Sequence, residues 1–368
     1  MNTDCAATGP ALKIVRTLRA GAHFIVYRGL RGDGVPVLIV TTQGAGPVSP
    51  GAHEPLDHEY SLAADLDCRW AARPLALTCD GARTLLVLED PGGESLAQCL
   101  LEPPPEIGRF LRIAIGIADA LRQVHQAGLI HRDIRPANVL FDTATGRVRL
   151  LGFGFAARIS PESATPAAAP PEAIATSFPY MAPEQTGRMS RSIDTRSDLY
   201  GLGVTLYEVL TGKLPFVAAD PLEWTHCHLA RHPTPAREHR ADVPGCVARI
   251  LMKLLEKTPE QRYQTAAGVI HDLARCLQEW EATGKISDFS LGTRDIPATL
   301  RISAHLHGRE RELAVLHSVF ERVARTAVSE CVLLSGPAGI GKSCLVQHLR
   351  ASIERHHGLF ACGKCEQY

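Results

Sequence analysis

Two stretches of this 368-residue chain hold side chains whose types and spacing could do chemistry. In one, Gly336-Pro337-Ala338-Gly339-Ile340-Gly341-Lys342-Ser343 follows an apolar run from Cys331 to Leu334. A strand that enters such a loop and leaves it as a helix turns backbone N–H groups toward one point, where they cradle phosphate oxygens. Gly336, Gly339 and Gly341 permit the close approach, Lys342 meets the β- and γ-phosphates, and Ser343 holds magnesium, so ATP and Mg2+ are the expected ligands. The other stretch starts at His131-Arg132-Asp133, with Arg135 next and Asn138 five residues after the aspartate. An apolar strand, Val148 to Leu151, then runs into Gly152-Phe153-Gly154.

The elements that must position these groups are legible from periodicity. Leu12 to Tyr27 and Val35 to Thr41 read as strands rich in Val and Ile, and Thr84 to Glu89 as another, closed by the turn signal Asp90-Pro91-Gly92-Gly93. From Pro105 to Ala127, Ile107, Phe110, Leu111, Ala114, Ile117, Ala118, Leu121 and Val124 recur at three- and four-residue steps, predicting an amphipathic helix just before His131. Ile159 to Ser177 is rich in Ala, Pro, Ser and Thr without an apolar period and reads as a mobile loop carrying Ser160, Ser163, Thr165, Thr176 and Ser177. Asp198-Leu199-Tyr200-Gly201-Leu202-Gly203 opens a helix apolar on nearly all sides, as a core helix is, and Thr265 to Trp280 reads as a final helix.

Together these motifs resemble the protein kinase family. The resemblance implies an α+β bilobal fold, with an N-lobe over about 11–90 and a C-lobe over about 91–280, behind a flexible tail at 1–10. It assigns Asp133 as the group accepting the substrate hydroxyl proton, Asn138 as a magnesium ligand, Arg135 as a charge near the transferring phosphate, and Glu59 as the helix carboxylate that pairs with a strand lysine. It makes Ile159 to Ser177 the activation loop. Tyr180-Met181-Ala182-Pro183-Glu184 and Lys257-Thr258-Pro259-Glu260-Gln261-Arg262 match the motifs whose Glu184 and Arg262 form a structural pair, and Asp198 takes a structural place as well.

Three parts depart from that pattern. The glycine-loop places hold Arg19, Gly21 and Phe24, the strand lysine is replaced by Val40, and the metal-binding aspartate before Phe-Gly is replaced by Gly152. Lys13 is the one lysine before Lys213, and Arg19 could offer a charge from the loop, though as a fork and not a point charge. Without a lysine, Glu59 is expected to be solvated or paired elsewhere. His226-Cys227-His228 with His232 has the wrong spacing for a tetrahedral zinc site, and Cys362-Gly363-Lys364-Cys365 lacks a second pair, so no metal is expected beyond magnesium at Asn138 and Ser343.

The pattern changes at Glu281. Gly284, Ser287, Ser290, Gly292, Thr293 and Pro297 mark a linker over 281–305, and His307-Gly308-Arg309-Glu310-Arg311 opens a helix at the start of an α/β P-loop NTPase domain, 306–368. So short a domain cannot close its own sheet, so a continuation past Tyr368 is expected. This order of parts, with Glu184-Gln185-Thr186-Gly187-Arg188-Met189, resembles large bacterial signalling proteins that carry a Ser/Thr-kinase-like domain, a signal-transduction ATPase and histidine kinase modules downstream. That resemblance implies protein partners or further domains of the same polypeptide.

Composition narrows the rest. Apolar residues make up 45% and charged residues 21%, enough for a large core. A net charge of +0 gives no electrostatic case for nucleic acid or an acidic membrane. The 11 cysteines are scattered, no signal peptide opens the chain, and no uncharged apolar run nears the ~18 residues of a membrane span, so reduced thiols in the cytoplasm are expected. The leading expectation is a degenerate kinase domain acting as a regulatory module beside an ATP-binding P-loop. An active but atypical Ser/Thr kinase and a nucleotide-switched signalling scaffold are the alternatives; oligomeric state is open.

Overall fold

The computed structural model describes residues 12–21, 24–42, 54–80, 83–100, 103–159, 177–188, 192–296 and 308–337, with 340–342, 345–346, 349 and 353 after them. Strands β1 (Leu12–Ala20), β2 (Phe24–Arg31), β3 (Pro36–Thr42), β4 (Pro74–Asp80) and β5 (Arg83–Glu89) form an antiparallel sheet in the order β1-β2-β3-β5-β4, and helix α1 (Glu54–Ser61) lies between β3 and β4 in the chain. The stretch read as strand from Leu12 to Tyr27 is thus two strands, turned where Gly21 N–H donates to Phe24 O at 2.9 Å. β4 escaped the sequence reading because Pro74 and the polar end at Thr78-Cys79-Asp80 blur its alternation. The site elements follow: β6 (Glu94–Ser95), α2 (Leu96–Cys99), α3 (Ile107–Gln126), β7 (Leu129–Ile130), β8 (Val139–Phe141), β9 (Val148–Leu150) and β10 (Ala157–Arg158). β6, β8 and β9 make one small sheet, and β7 and β10 another.

Helices α4 (Thr195–Thr211), α5 (Pro221–Leu229), α6 (Ala236–His239), α7 (Gly245–Leu254) and α8 (Ala266–Thr283) complete the C-terminal lobe. All eight apolar residues that set the period of α3 are buried. They pack with α4, α7 and α8 into one large core. Asp194 caps α4, accepting from Arg196 N–H at 2.8 Å, and Gly212 ends it in the left-handed region at φ 71°. A second apolar cluster crosses between the lobes: Leu18, Val26, Leu38, Val40 and Leu88 of the sheet meet Leu140 and Leu151 of the C-terminal lobe, all buried.

α8 runs to Thr283, three residues past the expected end at Trp280. The stretch after it, Gly284 to Ile296, is not a free linker. Ile286, Phe289 and Leu291 pack against the core, and Arg275 sits over the Phe289 ring at 4.1 Å. Asp295 accepts from Gln264 N–H at 2.5 Å and from Thr265 N–H at 2.9 Å, which seats it at the start of α8. The chain divides into two units after Ile296. In the second unit, α9 (Glu310–Thr326) bears out the expected helix, starting at Glu310. The expected strand from Cys331 to Leu334 does not form: these residues carry no strand pairing, and Leu333 is 90% exposed. A strand is held by hydrogen bonds to a neighbour, and none lies beside it among the described residues.

The pair Glu184–Arg262 is buried at the base of the C-terminal lobe. Arg262 donates through Nη1 to Oε1 at 2.7 Å and through Nη2 to Oε2 at 2.9 Å, and Ser197 Oγ donates to the same Oε1 at 2.7 Å. The guanidinium also reaches the carbonyls of Glu256, Lys257 and Arg196, so every charge is answered within the chain. Removing one partner from such a pair leaves the other charge buried and unpaired. Arg262→Met is therefore expected to lower the unfolding free energy of the first unit by about 3–5 kcal/mol. Urea denaturation followed by tryptophan fluorescence checks this; a loss below about 1 kcal/mol contradicts it.

Candidate functional site

Register across the sheet sets the cleft. Arg19 of β1 stands opposite Val26 of β2, and Val26 opposite Val40 of β3. Directly opposed residues share a sheet face, so Arg19 emerges from the same row as Val40, two strands away. Val40 is buried in the apolar cluster between the lobes. Lys13 lies further along β1, opposite Leu30, and is exposed.

Below the sheet, the loop after β7 is fixed by Asp198 of α4. Its fully buried carboxylate accepts from His131 N–H at 2.8 Å and Arg132 N–H at 2.7 Å, and lies 2.9 Å from His125 Nε2. Arg132 is thereby held at φ 68°, a conformation rare for a residue with a Cβ. His131 packs on Phe153 with ring centroids 4.5 Å apart, and Phe153 on Trp70 at 5.9 Å. Burial holds the His131 pKa below its usual range, against the pull of Asp198 and Asp133.

This scaffold brings Asp133, Arg135, Asn138 and Glu59 around one cavity with Arg19, Val40 and Gly152. Asn138 Nδ2 donates to Asp133 O at 2.9 Å and to Asp133 Oδ2 at 2.6 Å, and Arg135 Nε donates to the same Oδ2 at 3.1 Å. Burial works to raise the Asp133 pKa, but the Arg135 charge, Ser177, His131 and the Asn138 amide bring it below the ordinary carboxylate value. Asp133 Oδ1 is buried without a hydrogen-bond partner. Ser177 was singled out in the sequence only as one hydroxyl among several; its place beside Asp133 had no signal there. Ser160, Ser163, Thr165 and Thr176 lie outside the described residues.

Arg19 is the residue whose role the sequence left open. Its Nη1 donates to Asn138 Oδ1 at 2.5 Å and to Ala137 O at 2.9 Å. Desolvation and the neighbouring Arg135 lower its pKa to about 10, opposed by Asp133 and Glu59, so the guanidinium stays charged at neutral pH. Glu59 is 3% exposed and so not solvated. Desolvation raises its pKa to about 7, while the backbone N–H groups of Phe153, Gly152 and Gly154 and the Arg19 charge pull the other way.

Gly152 sits at φ 78°, and a Cβ there would lie 3.0 Å from Cγ, Nδ2 and Oδ1 of Asn138. The Asn138 amide thus fills the space into which a side chain at 152 would project. The cavity left between the lobes is about 50 Å³, against roughly 300–1,000 Å³ for sites that enclose small molecules. Magnesium takes oxygen ligands in a near-octahedral shell at about 2.0–2.1 Å. Here the Asn138 oxygen is bonded to a guanidinium and position 152 supplies none. Among the described residues, the lining of this cleft offers magnesium–ATP neither a lysine at position 40 nor a carboxylate at position 152, and so does not fit it.

The phosphate loop fits its ligand better. Lys342 Nζ donates to the loop carbonyls of Gly336 at 2.7 Å and Pro337 at 2.8 Å, which folds the ammonium over the cradle. Leu345 N–H donates to Gly341 O at 3.0 Å, the first turn of a helix. Gly339 and Ser343 lie outside the described residues, as do Cys362 and Cys365. His228 is no ligand among the described residues: it is buried, 2.9 Å from Tyr200 OH and 2.8 Å from Phe178 O, stacked on Trp224.

Residues 52–273 match the protein kinase domain family, and residues 305–368 match the AAA ATPase domain family. The chain is 37% identical over 203 residues to the serine/threonine-protein kinase PknB of Mycobacterium tuberculosis, which covers 54% of this chain and 31% of that protein. The PknB of Mycobacterium leprae is 34% identical over 201 residues, with the same coverage of 54% and 31%. Hybrid signal transduction histidine kinase G of Dictyostelium discoideum is 34% identical over 214 residues, 52% of this chain and 6% of that protein. The chain thus spans under a third of the length of each of these relatives.

Glu59 makes stability depend on pH in a direction opposite to that of a lysine-paired glutamate. Its folded pKa is raised from 4.5 to about 7, so its contribution is full below 4.5 and is lost as pH rises through 7. Glu59→Gln removes that loss. The variant is expected to be more stable than the parent by about 1–3 kcal/mol at pH 8, with the difference gone by about pH 5. Urea titrations at both pH values test this; a destabilised variant at pH 8 would mean that Glu59 has a cationic partner.

Proposed function

As this chain belongs to the protein kinase family, we propose that residues 11–280 form a degenerate kinase domain working as a regulatory module, beside a P-loop segment at 306–368 that binds ATP. The observation that carries this reading is the Asn138 amide packed onto Gly152, in a cavity of about 50 Å³. Phosphoryl transfer depends on positioning and on neutralising phosphate charge. Val40 brings no charge to the strand position and Gly152 no carboxylate to the metal position. Asp133 keeps the place of a general base, an effect worth roughly 10²–10⁴-fold in rate, but it has nothing to act on unless a nucleotide is gripped above it.

In the P-loop segment, Lys342 and the backbone N–H groups at Gly336 and Gly341 would hold the phosphates, and Ser343 the magnesium. ATP supplies there a ligand whose binding or hydrolysis can be read by attached parts. The likeness to a hybrid signal transduction histidine kinase supports a place in a two-component type of pathway, with protein partners or histidine kinase modules receiving the output. A cytoplasmic site of action accompanies this reading. No helix among the described residues is long and apolar enough to cross a membrane. The unpartnered Asp133 Oδ1 favours one competing reading, an atypical but active Ser/Thr kinase.

Nucleotide binding by the 368-residue chain and two variants separates these readings. We expect magnesium–ATP affinity to fall roughly 10–100-fold or more in Lys342→Ala, which loses a charge-assisted contact, and to be unchanged in Asp133→Asn. Incorporation of labelled phosphate into protein that survives Lys342→Ala and disappears in Asp133→Asn would establish the active kinase instead.

A further inference from the structure

The loop that holds Asp133 and Asn138 is bound to the N-terminal sheet by a cation belonging to the chain itself. Arg19 Nη1 reaches two oxygens of that loop, Asn138 Oδ1 at 2.5 Å and Ala137 O at 2.9 Å. The other end of the Asn138 amide is committed to Asp133, through Oδ2 at 2.6 Å and O at 2.9 Å. So a chain of contacts runs from sheet to guanidinium to amide to carboxylate. The amide oxygen that would face a divalent ion faces Arg19 instead, and Glu59 and Asp133 add negative charge around the guanidinium.

Two further arginines of the same ribbon bind it to the hinge. Arg28 Nε lies 2.6 Å from Asp90 Oδ2 and its Nη2 donates to Gly93 O at 2.8 Å, while Arg16 pairs with Glu94. The apolar cluster of Leu18, Val26, Leu38, Leu140 and Leu151 closes the remaining seam. Backbone bonds from Ala72 N–H to Leu150 O at 3.0 Å and from Leu150 N–H to Trp70 O at 2.8 Å join the lobes on the other side.

Resting on the reading of the cleft as degenerate, we infer that Arg19 is a built-in cation: its guanidinium takes the place of a divalent ion and keeps the catalytic-type loop docked on the sheet without metal or nucleotide. Such a unit is closed from the moment it folds. A point charge with oxygen ligands and a planar fork with N–H donors satisfy the same acceptors, so removing the fork leaves acceptors that a divalent ion can serve.

The test uses the full chain carrying Lys342→Ala, so that the phosphate loop takes no nucleotide, with and without Arg19→Ala or Arg19→Lys. Thermal unfolding and backbone hydrogen exchange are read in chelator and in millimolar magnesium. With Arg19 present, magnesium is expected to change neither. Arg19→Ala is expected to lower the midpoint by roughly 3–8 °C and to speed exchange at 131–141, and magnesium is expected to restore at least half of both losses. Arg19→Lys, which keeps the charge, is expected to lose less. A midpoint and exchange pattern unchanged in Arg19→Ala, or a loss that magnesium does not mend, overturns the inference. If the Lys342→Ala chain with Arg19 intact is itself stabilised by magnesium–ATP, the degenerate reading fails, a different result from either of those.

Discussion

A carboxylate taken out of water must be met by positive charge or by donors, and Asp133 sets that demand at the base of the cleft. It is 5% exposed; Arg135 and Asn138 bond its Oδ2, Arg19 bonds Asn138 in turn, and Ser177 lies beside it. Once the amide is turned to serve Asp133 with its nitrogen, its oxygen must find a donor, and the guanidinium from β1 is that donor. The same turn lays the amide against Gly152, where a Cβ would stand 3.0 Å from it and require it to shift. Arg19, the Asn138 amide and Gly152 thus meet in one local hydrogen-bond scheme at the cavity.

Parts of the fold that depend only on partners within the chain are all in place. Asp198 still organises the loop from His131, Arg262 still forks onto Glu184, and Phe153 still packs between His131 and Trp70. None of these contacts needs a metal or a phosphate to complete it. The positions that depart from the family pattern, Arg19, Val40 and Gly152, all line the cleft, where Arg19 bonds Asn138 and Val40 packs into the apolar seam. Buried pairs of the first kind cost several kcal/mol to break.

Most of the first unit is legible in the sequence. The long helix, the motif from His131 to Gly154 and the pair Glu184–Arg262 each couple a strong period or spacing to local chemistry, and each stands where expected. Arg19 was visible as an anomaly but its target was not, because reaching Asn138 depends on the register that lines Arg19 up with Val26 and Val40, and register is a long-range property. The sequence alone leaves Glu59 solvated or paired elsewhere; its burial follows from how α1 docks, which no local pattern encodes. The stretch after α8 looked like a linker since its Gly, Ser and Thr content resembles one, yet three spaced apolar residues and Asp295 fasten it to the C-terminal lobe. The strand before the phosphate loop had the right composition, but a strand exists only as one side of a pair.

A ligand moves an equilibrium between two arrangements only by the difference in its affinity for them. In the reading proposed here, the first unit offers a nucleotide little such difference: Arg19 already bonds Asn138, the apolar seam is already shut, and opening it would expose Asp133, Glu59 and Arg19 together. The phosphate loop is the opposite case. Among the described residues Lys342 is bonded to carbonyls of its own loop, contacts that a phosphate replaces with stronger, charge-assisted ones. In that reading, responsiveness to ATP belongs to the second unit.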